Sequence, residues 1–179
     1  MTGIQNRRYF DHRCDIEIIQ ARRYKHALAC MFLDIDRFKG INDRHGHQTG
    51  DEVLRTVAGV VKAQLRAGDT IARYGGEEFV ALLPRVARHH ALEIAERIRK
   101  AVAESALKAL SGEDLTVTIS IGVAMLPDGS FAASPNEEAR RLLAIADQAL
   151  YEAKNTGRNR VVSREDAVCY SGSGDLLEI

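Results

Sequence analysis

Gly75-Gly76 lies between two strand-like stretches, residues 70–74 and 78–84, and no other feature limits the fold as much. Two glycines between apolar runs are a hairpin signal, here for a two-residue connection, so these stretches should pair antiparallel. Residues 29–36 (ACMFLDID) are an apolar run ending in acids, which suits a buried strand with a polar C-terminal end. Val117, Ile119, Ile121 and Val123 alternate with Thr118, Ser120 and Gly122, the pattern of a long half-buried strand. Val161-Val162 reads as a last short strand.

Between these strands the period changes to that of helices. Val53, Val57, Val60, Val61 and Leu65 form one stripe within 48–65, and Ala91, Ile94, Ala95, Ile98, Ala101 and Val102 form another within 88–107. Leu142, Leu143, Ala146, Ala149, Leu150 and Ala153 mark a helix over 137–154, and Arg7 to Phe10 open a first helix. Strands joined partly by a hairpin and partly by helices predict an α+β fold with helices packed on a sheet. Residues 1–165 are expected to form one domain, and 166–179 a flexible tail that frays. The abrupt start resembles that of a module cut from a longer protein.

The charge balance narrows the function. Lys+Arg and Asp+Glu each number 25, so there is no basic excess to point to nucleic acid. No apolar run approaches the ~20 residues that span a bilayer. Cys14, Cys30 and Cys169 lack metal spacing and are expected to be reduced thiols of a cytoplasmic protein. The sequence contains no G-x-x-x-x-G-K-[ST] phosphate loop, G-x-G-x-x-G, H-E-x-x-H or G-x-S-x-G.

Three constellations carry chemistry. Gly75 and Gly76 leave a hairpin tip open to close approach by a ligand, and Glu77-Glu78 follow at once. Adjacent carboxylates repel unless a cation or proton lies among them, although an exposed acidic turn shows the same letters. Asp34 and Asp36 share a face of an extended strand. If that strand pairs beside the hairpin, Asp34 and Glu77 converge on one hard cation such as Mg²⁺. For Asp36, capping of the next helix is the better reading. Phe38, Lys39, Asn42, Asp43, Gly46, His47, Gly50 and Asp51 crowd one short segment. There Asn and Asp suit the edge of guanine, and Lys39 suits phosphate. Lys154 and Arg158 flank a turn at Gly157, where basic residues also serve as helix-dipole partners.

These residues together resemble the GGDEF/GGEEF family of diguanylate cyclases. Gly75-Gly76-Glu77-Glu78-Phe79 resembles the signature itself, and Asp34-Ile35-Asp36 with Phe38-Lys39, Asn42-Asp43, Gly46-His47 and Gly50-Asp51 the first-strand block. Thr118 to Val123, Ala146-Asp147 through Lys154, and Gly157-Arg158-Asn159 resemble the later blocks, and Thr2-Gly3 with Asn6-Arg7-Arg8 the opening one. The likeness runs over about residues 2–162.

It implies a palm-like fold similar to that of class III nucleotide cyclases. It also implies condensation of two GTP into cyclic di-GMP and two pyrophosphates, dependent on Mg²⁺ or Mn²⁺. Asp34, the Ile35 carbonyl and Glu77 correspond to metal ligands, and Glu78 to a further ligand or a base. Asn42 and Asp51 correspond to guanine readers, with His47 and Phe38 close by. Lys39, Lys154 and Arg158 correspond to triphosphate contacts. Each site holds one GTP, so catalysis implies a transient antiparallel homodimer. Arg66-Ala67-Gly68-Asp69 resembles the family's inhibitory R-x-x-D site for product, with Arg97 a further arginine; a plain Arg66–Asp69 salt bridge is the other reading. The family's opening block begins two residues further upstream, which implies a regulatory domain outside this chain. The rival readings are an inactive module that senses cyclic di-GMP or GTP, and a cyclase making another dinucleotide or a cyclic mononucleotide.

Overall fold

The computed structural model describes residues 2–127 and 134–164. In chain order the elements are β1 (Gln5–Asn6), α1 (Arg7–Tyr24), β2 (Leu28–Ile35), α2 (Phe38–His45), α3 (His47–Ala63), β3 (Thr70–Arg73), β4 (Glu78–Pro84), α4 (Arg88–Ala103), β5 (Leu107–Lys108), β6 (Asp114–Leu115), β7 (Ile119–Met125), α5 (Pro135–Asn155) and β8 (Val161–Arg164). Six strands form one sheet in the order β1-β3-β4-β2-β7-β8, and β5 and β6 form a separate small pair.

The period-two pattern of β2 divides the core between the two faces. Ala29, Met31, Leu33 and Ile35 join α3 and α4 in one apolar cluster. Leu28, Cys30 and Phe32 join α1 and α5 in the other. Both faces are therefore covered, and every β2 residue is buried. α5 starts on a capping box in which the Ser134 side chain accepts from the Glu137 amide while Glu137 reaches back to the Ser134 N–H.

Four expectations need correction. β7 is buried on both faces, because the small residues Ser120 and Gly122 lie under α5; a Cβ on Gly122 would collide with the Ala146 carbonyl and the Leu150 amide. Helix α4 stops at Ala103, and Leu107 belongs to the β5–β6 pair. The β3–β4 connection exceeds two residues, since Arg73 pairs with Phe79 and Tyr74 N–H still donates to the Glu78 carbonyl at 2.9 Å. Asp36 caps no helix: the N-cap of α2 is Arg37, which makes no side-chain cap bond. Cys14 and Cys30 are free and buried, while Cys169 and the expected tail fall outside the described residues. No helix among the described residues is long and apolar enough to cross a membrane.

Candidate functional site

β2 lies between β4 and β7, with Asp34 opposite Glu78 on one side and Ser120 on the other. Because Asp34 continues the even series Leu28, Cys30 and Phe32, this row stands on the face covered by α1 and α5. Asp34 is 4% exposed, and Lys154 from the last turn of α5 places Nζ 2.8 Å from its Oδ2. Burial nevertheless pushes the Asp34 carboxyl up to about 6; Lys154 works against that shift, and the charges of Glu77 and Glu78 add to it. One ammonium among three acids leaves a net negative site at the end of the sheet.

The hairpin holds its acids by two adjacent residues. Arg73 donates from Nε to the carbonyls of Gly75 (3.2 Å) and Gly76 (3.1 Å), and from Nη2 to Gly76 (2.6 Å). Tyr74, on the other face, packs edge-on against Phe32 at 5.1 Å and lies beneath the Arg7 guanidinium at 4.4 Å. The Glu78 carboxylate lies where a Cβ on Gly75 would be and would have to move for any larger residue there; around Gly76 there is open space. The backbone here runs close to the acids, and the tip is accessible to a ligand.

Helix α2 begins beside this row. Its N-cap residue, Arg37, makes no side-chain cap bond, an arrangement in which first-turn N–H groups can receive an anion. Lys39 is exposed on the same turn. Asn42 lies against Gly50, where any Cβ would collide with its amide, and Phe38 touches the same spot. Gly46, with φ of 81°, makes the elbow from α2 into α3, which folds Asn42 back against Gly50, next to Asp51 in the chain. A cavity of about 480 Å³ beside α2 is lined by Asp36, Arg37, Arg44, Glu113, Thr118 and Arg158, among others. Asp34, Glu77 and Glu78 are not among the residues that line it.

Asp36 does different work from Asp34. It accepts from Thr118 Oγ1 (2.7 Å), Ser120 Oγ (2.7 Å) and the Asn159 amide (3.0 Å), fastening β2, β7 and the turn after α5 together. Asn159 and Arg73 matter to the site, and no sequence spacing pointed to either role.

Asp34, Glu77 and Glu78 supply hard oxygen donors around a net negative charge, which fits a cation such as Mg²⁺. Among the described residues no three His, Cys, Asp or Glu side chains are gathered closely enough to hold a metal by themselves. Mg²⁺ commonly takes only one or two carboxylates and completes its shell with phosphate and water, so the donor set suits a metal that arrives with a nucleotide.

At the far end of β3, Arg66 Nε lies 3.0 Å from Asp69 Oδ1, and the Arg66 amide donates to Asp69 Oδ2 at 3.1 Å. Arg66 also donates to the Pro84 carbonyl, and Arg97 from α4 donates to the Gln64 carbonyl at 2.7 Å. The three candidates for a product site thus share one edge of the molecule, away from the acidic row.

Residues 1–160 match the family described as "Diguanylate cyclase, GGDEF domain". Diguanylate cyclase DosC of Escherichia coli K12 is 44% identical over 161 residues, which are 90% of this chain and 34% of that protein. The chain spans about a third of the length of that relative. Among solved structures, the GGDEF domain of DgcB from Caulobacter crescentus, in complex with c-di-GMP, is similar with a TM-score of 0.82 at 40% identity, covering 90% of this chain and 89% of that one. The active GGEEF domain of a diguanylate cyclase from Vibrio cholerae is similar with a TM-score of 0.80 at 33% identity, covering 90% and 97%. The fold is accordingly the palm-like α+β fold shared with class III nucleotide cyclases.

Proposed function

Since the chain belongs to the GGDEF family of diguanylate cyclase domains, we propose that it condenses two GTP molecules into cyclic di-GMP with release of two pyrophosphates. The observation that carries this reading is the row of Glu78 and Asp34 with Lys154 above it, next to an open Gly-Gly tip and an uncapped helix start. A 3′-oxygen attacking an α-phosphorus needs an aligned triphosphate and neutralisation of the charge that develops. The α2 amides, Lys39, Lys154 and Arg158 hold the triphosphate. Asn42 and Asp51, with His47 and Phe38 beside them, take the guanine.

Asp34, Glu77 and the Ile35 carbonyl would hold Mg²⁺ or Mn²⁺, which supplies Lewis-acid stabilisation at the reacting phosphate. Glu78, whose carboxylate folds over Gly75, takes the 3′-hydroxyl proton or adds another oxygen to the metal. One domain presents one such row, so two copies meet antiparallel, each bringing one GTP. Arg66, Asp69 and Arg97 form a separate site for the product, whose binding holds two domains in a pose where their GTP sites do not meet. Incubating the purified domain with GTP and Mg²⁺ and identifying the product by mass tests this reading. Cyclic di-GMP is expected. A protein that binds GTP and returns it unchanged would instead be a sensor module.

A further inference from the structure

Two consecutive non-glycine residues, Arg158 and Asn159, hold left-handed backbone with φ of 61° and 45°, directly after Gly157 at 128°. Such a pair is costly for L-residues and persists only where its surroundings over-determine it. Here they do. The Arg158 amide donates to the Ala153 carbonyl at 2.9 Å, and the Asn159 amide to Asp36 Oδ2 at 3.0 Å. The Asn159 side chain is held in turn, its Oδ1 accepting from Arg99 Nη1 at 2.7 Å. Arg99 belongs to α4 and is gripped by both carboxylate oxygens of Glu96 at 2.8 and 2.6 Å, which fixes the direction of its guanidinium. Arg160 donates to the Arg158 carbonyl, and its guanidinium fills the space beside Gly157. The backbone on both sides of Arg158 is thereby fastened to β2, α4 and α5, while Arg158 itself lines the cavity beside α2.

We propose that Arg99 and Asn159 are positioning residues for Arg158, fixing from α4 the strained turn that aims Arg158 at the phosphates of the bound nucleotide. The inference rests on the reading above that Arg158 contacts triphosphate. Arg99 does not line that cavity and need not touch the nucleotide, whereas Asn159 lines it beside Arg158. Their effect is felt only through the placement of one guanidinium, and so only by ligands that carry the phosphates it meets.

Calorimetry with 3′-deoxy-GTP, which lacks the attacking hydroxyl and so cannot condense, tests this beside GMP as a control. Arg99→Gln should weaken 3′-deoxy-GTP roughly threefold to tenfold, a coupling typical of residues in one hydrogen-bond network, and leave GMP unchanged. Asn159→Gly accepts the left-handed backbone yet loses the Arg99 anchor, so it should fold and show the same selective loss. In an Arg158→Ala background, Arg99→Gln should have no further effect. Equal loss for both nucleotides, an unchanged affinity, or full additivity with Arg158→Ala would overturn the inference alone. Wild-type affinity for 3′-deoxy-GTP in Arg158→Ala itself would remove its premise, and the inference with it.

Discussion

The two ends of β3 carry charged groups in opposite condition. At its start, Arg66 and Asp69 satisfy each other: the Asp69 side chain is 2% exposed, yet both its oxygens receive hydrogen bonds from Arg66. Past its end, Asp34 pairs with the Lys154 ammonium close to Glu77 and Glu78, and the Asp34 carboxyl is pushed up to about 6 by burial. The paired end is at rest as it stands and must open its own hydrogen bonds to admit a ligand. The acidic end keeps more negative than positive charge close to the Asp34 carboxyl. Charge left uncompensated at low exposure is costly to a fold, so its presence is better explained by chemistry than by stability.

Breaking the acidic end should produce the largest effect. Glu77→Gln keeps shape and removes one anionic donor, and product formation should fall by about a hundredfold or more while the thermal melt changes little. A rate assay with a parallel melt checks both halves. At the proposed guanine contacts, Asp51→Ala should weaken GTP by about 1–3 kcal/mol, the cost of leaving the bound guanine's hydrogen-bonding groups unpaired. Weak ATP binding should not change, and calorimetry with both nucleotides separates recognition from a structural role.

At the other end of β3, Arg66→Ala should weaken cyclic di-GMP by roughly tenfold, since a charge-assisted fork is lost. That loss should appear even in a Glu77→Gln background, where the catalytic end is silent. If product inhibition proved competitive with GTP, the two ends would not be separate sites.

The smallest effect concerns pH and sharpens the contrast between the two ends. The folded-state pKa of Asp34 lies above the model-peptide range of about 3.9, so the folded protein binds more protons than the unfolded one as pH falls between those values. Stability from this group is therefore present at low pH and is lost as pH rises through about 6. Asp34→Asn should accordingly raise the melting temperature of the metal-free domain by a few degrees at pH 8 and by nothing near pH 3. Differential scanning calorimetry at the two pH values reads the sign.

Most of the scaffold was legible because its signals are local. The stripe Val53, Val57 and Val61 specifies α3, and the alternation along β2 places Asp34 on the same face as Cys30 and Phe32. The two glycines and the apolar run marked the strands, but their pairing was only a condition in the sequence, and Glu78 rather than the expected Glu77 stands opposite Asp34. What stayed hidden depends on distant partners. Asp36 ahead of a helix has the look of a cap, but its hydrogen bonds come from Thr118, Ser120 and Asn159, more than eighty residues along the chain. The alternation in β7 reads as one wet face, because nothing local shows that Gly122 is small in order to let α5 approach. The anchoring of Asn159 by Arg99 crosses from α4 to the turn after α5 and leaves no pattern in either segment.

The central claim is that the acids at the end of the sheet bind a divalent metal together with GTP. Titrating Mn²⁺ into the domain with 3′-deoxy-GTP, and following free Mn²⁺ by electron paramagnetic resonance, tests it most directly. The account predicts tight nucleotide-dependent uptake at pH 8, weakening as pH falls below about 6 where Asp34 takes up its proton, and loss of uptake in Asp34→Asn and Glu77→Gln. Undiminished Mn²⁺ uptake in both variants would contradict it.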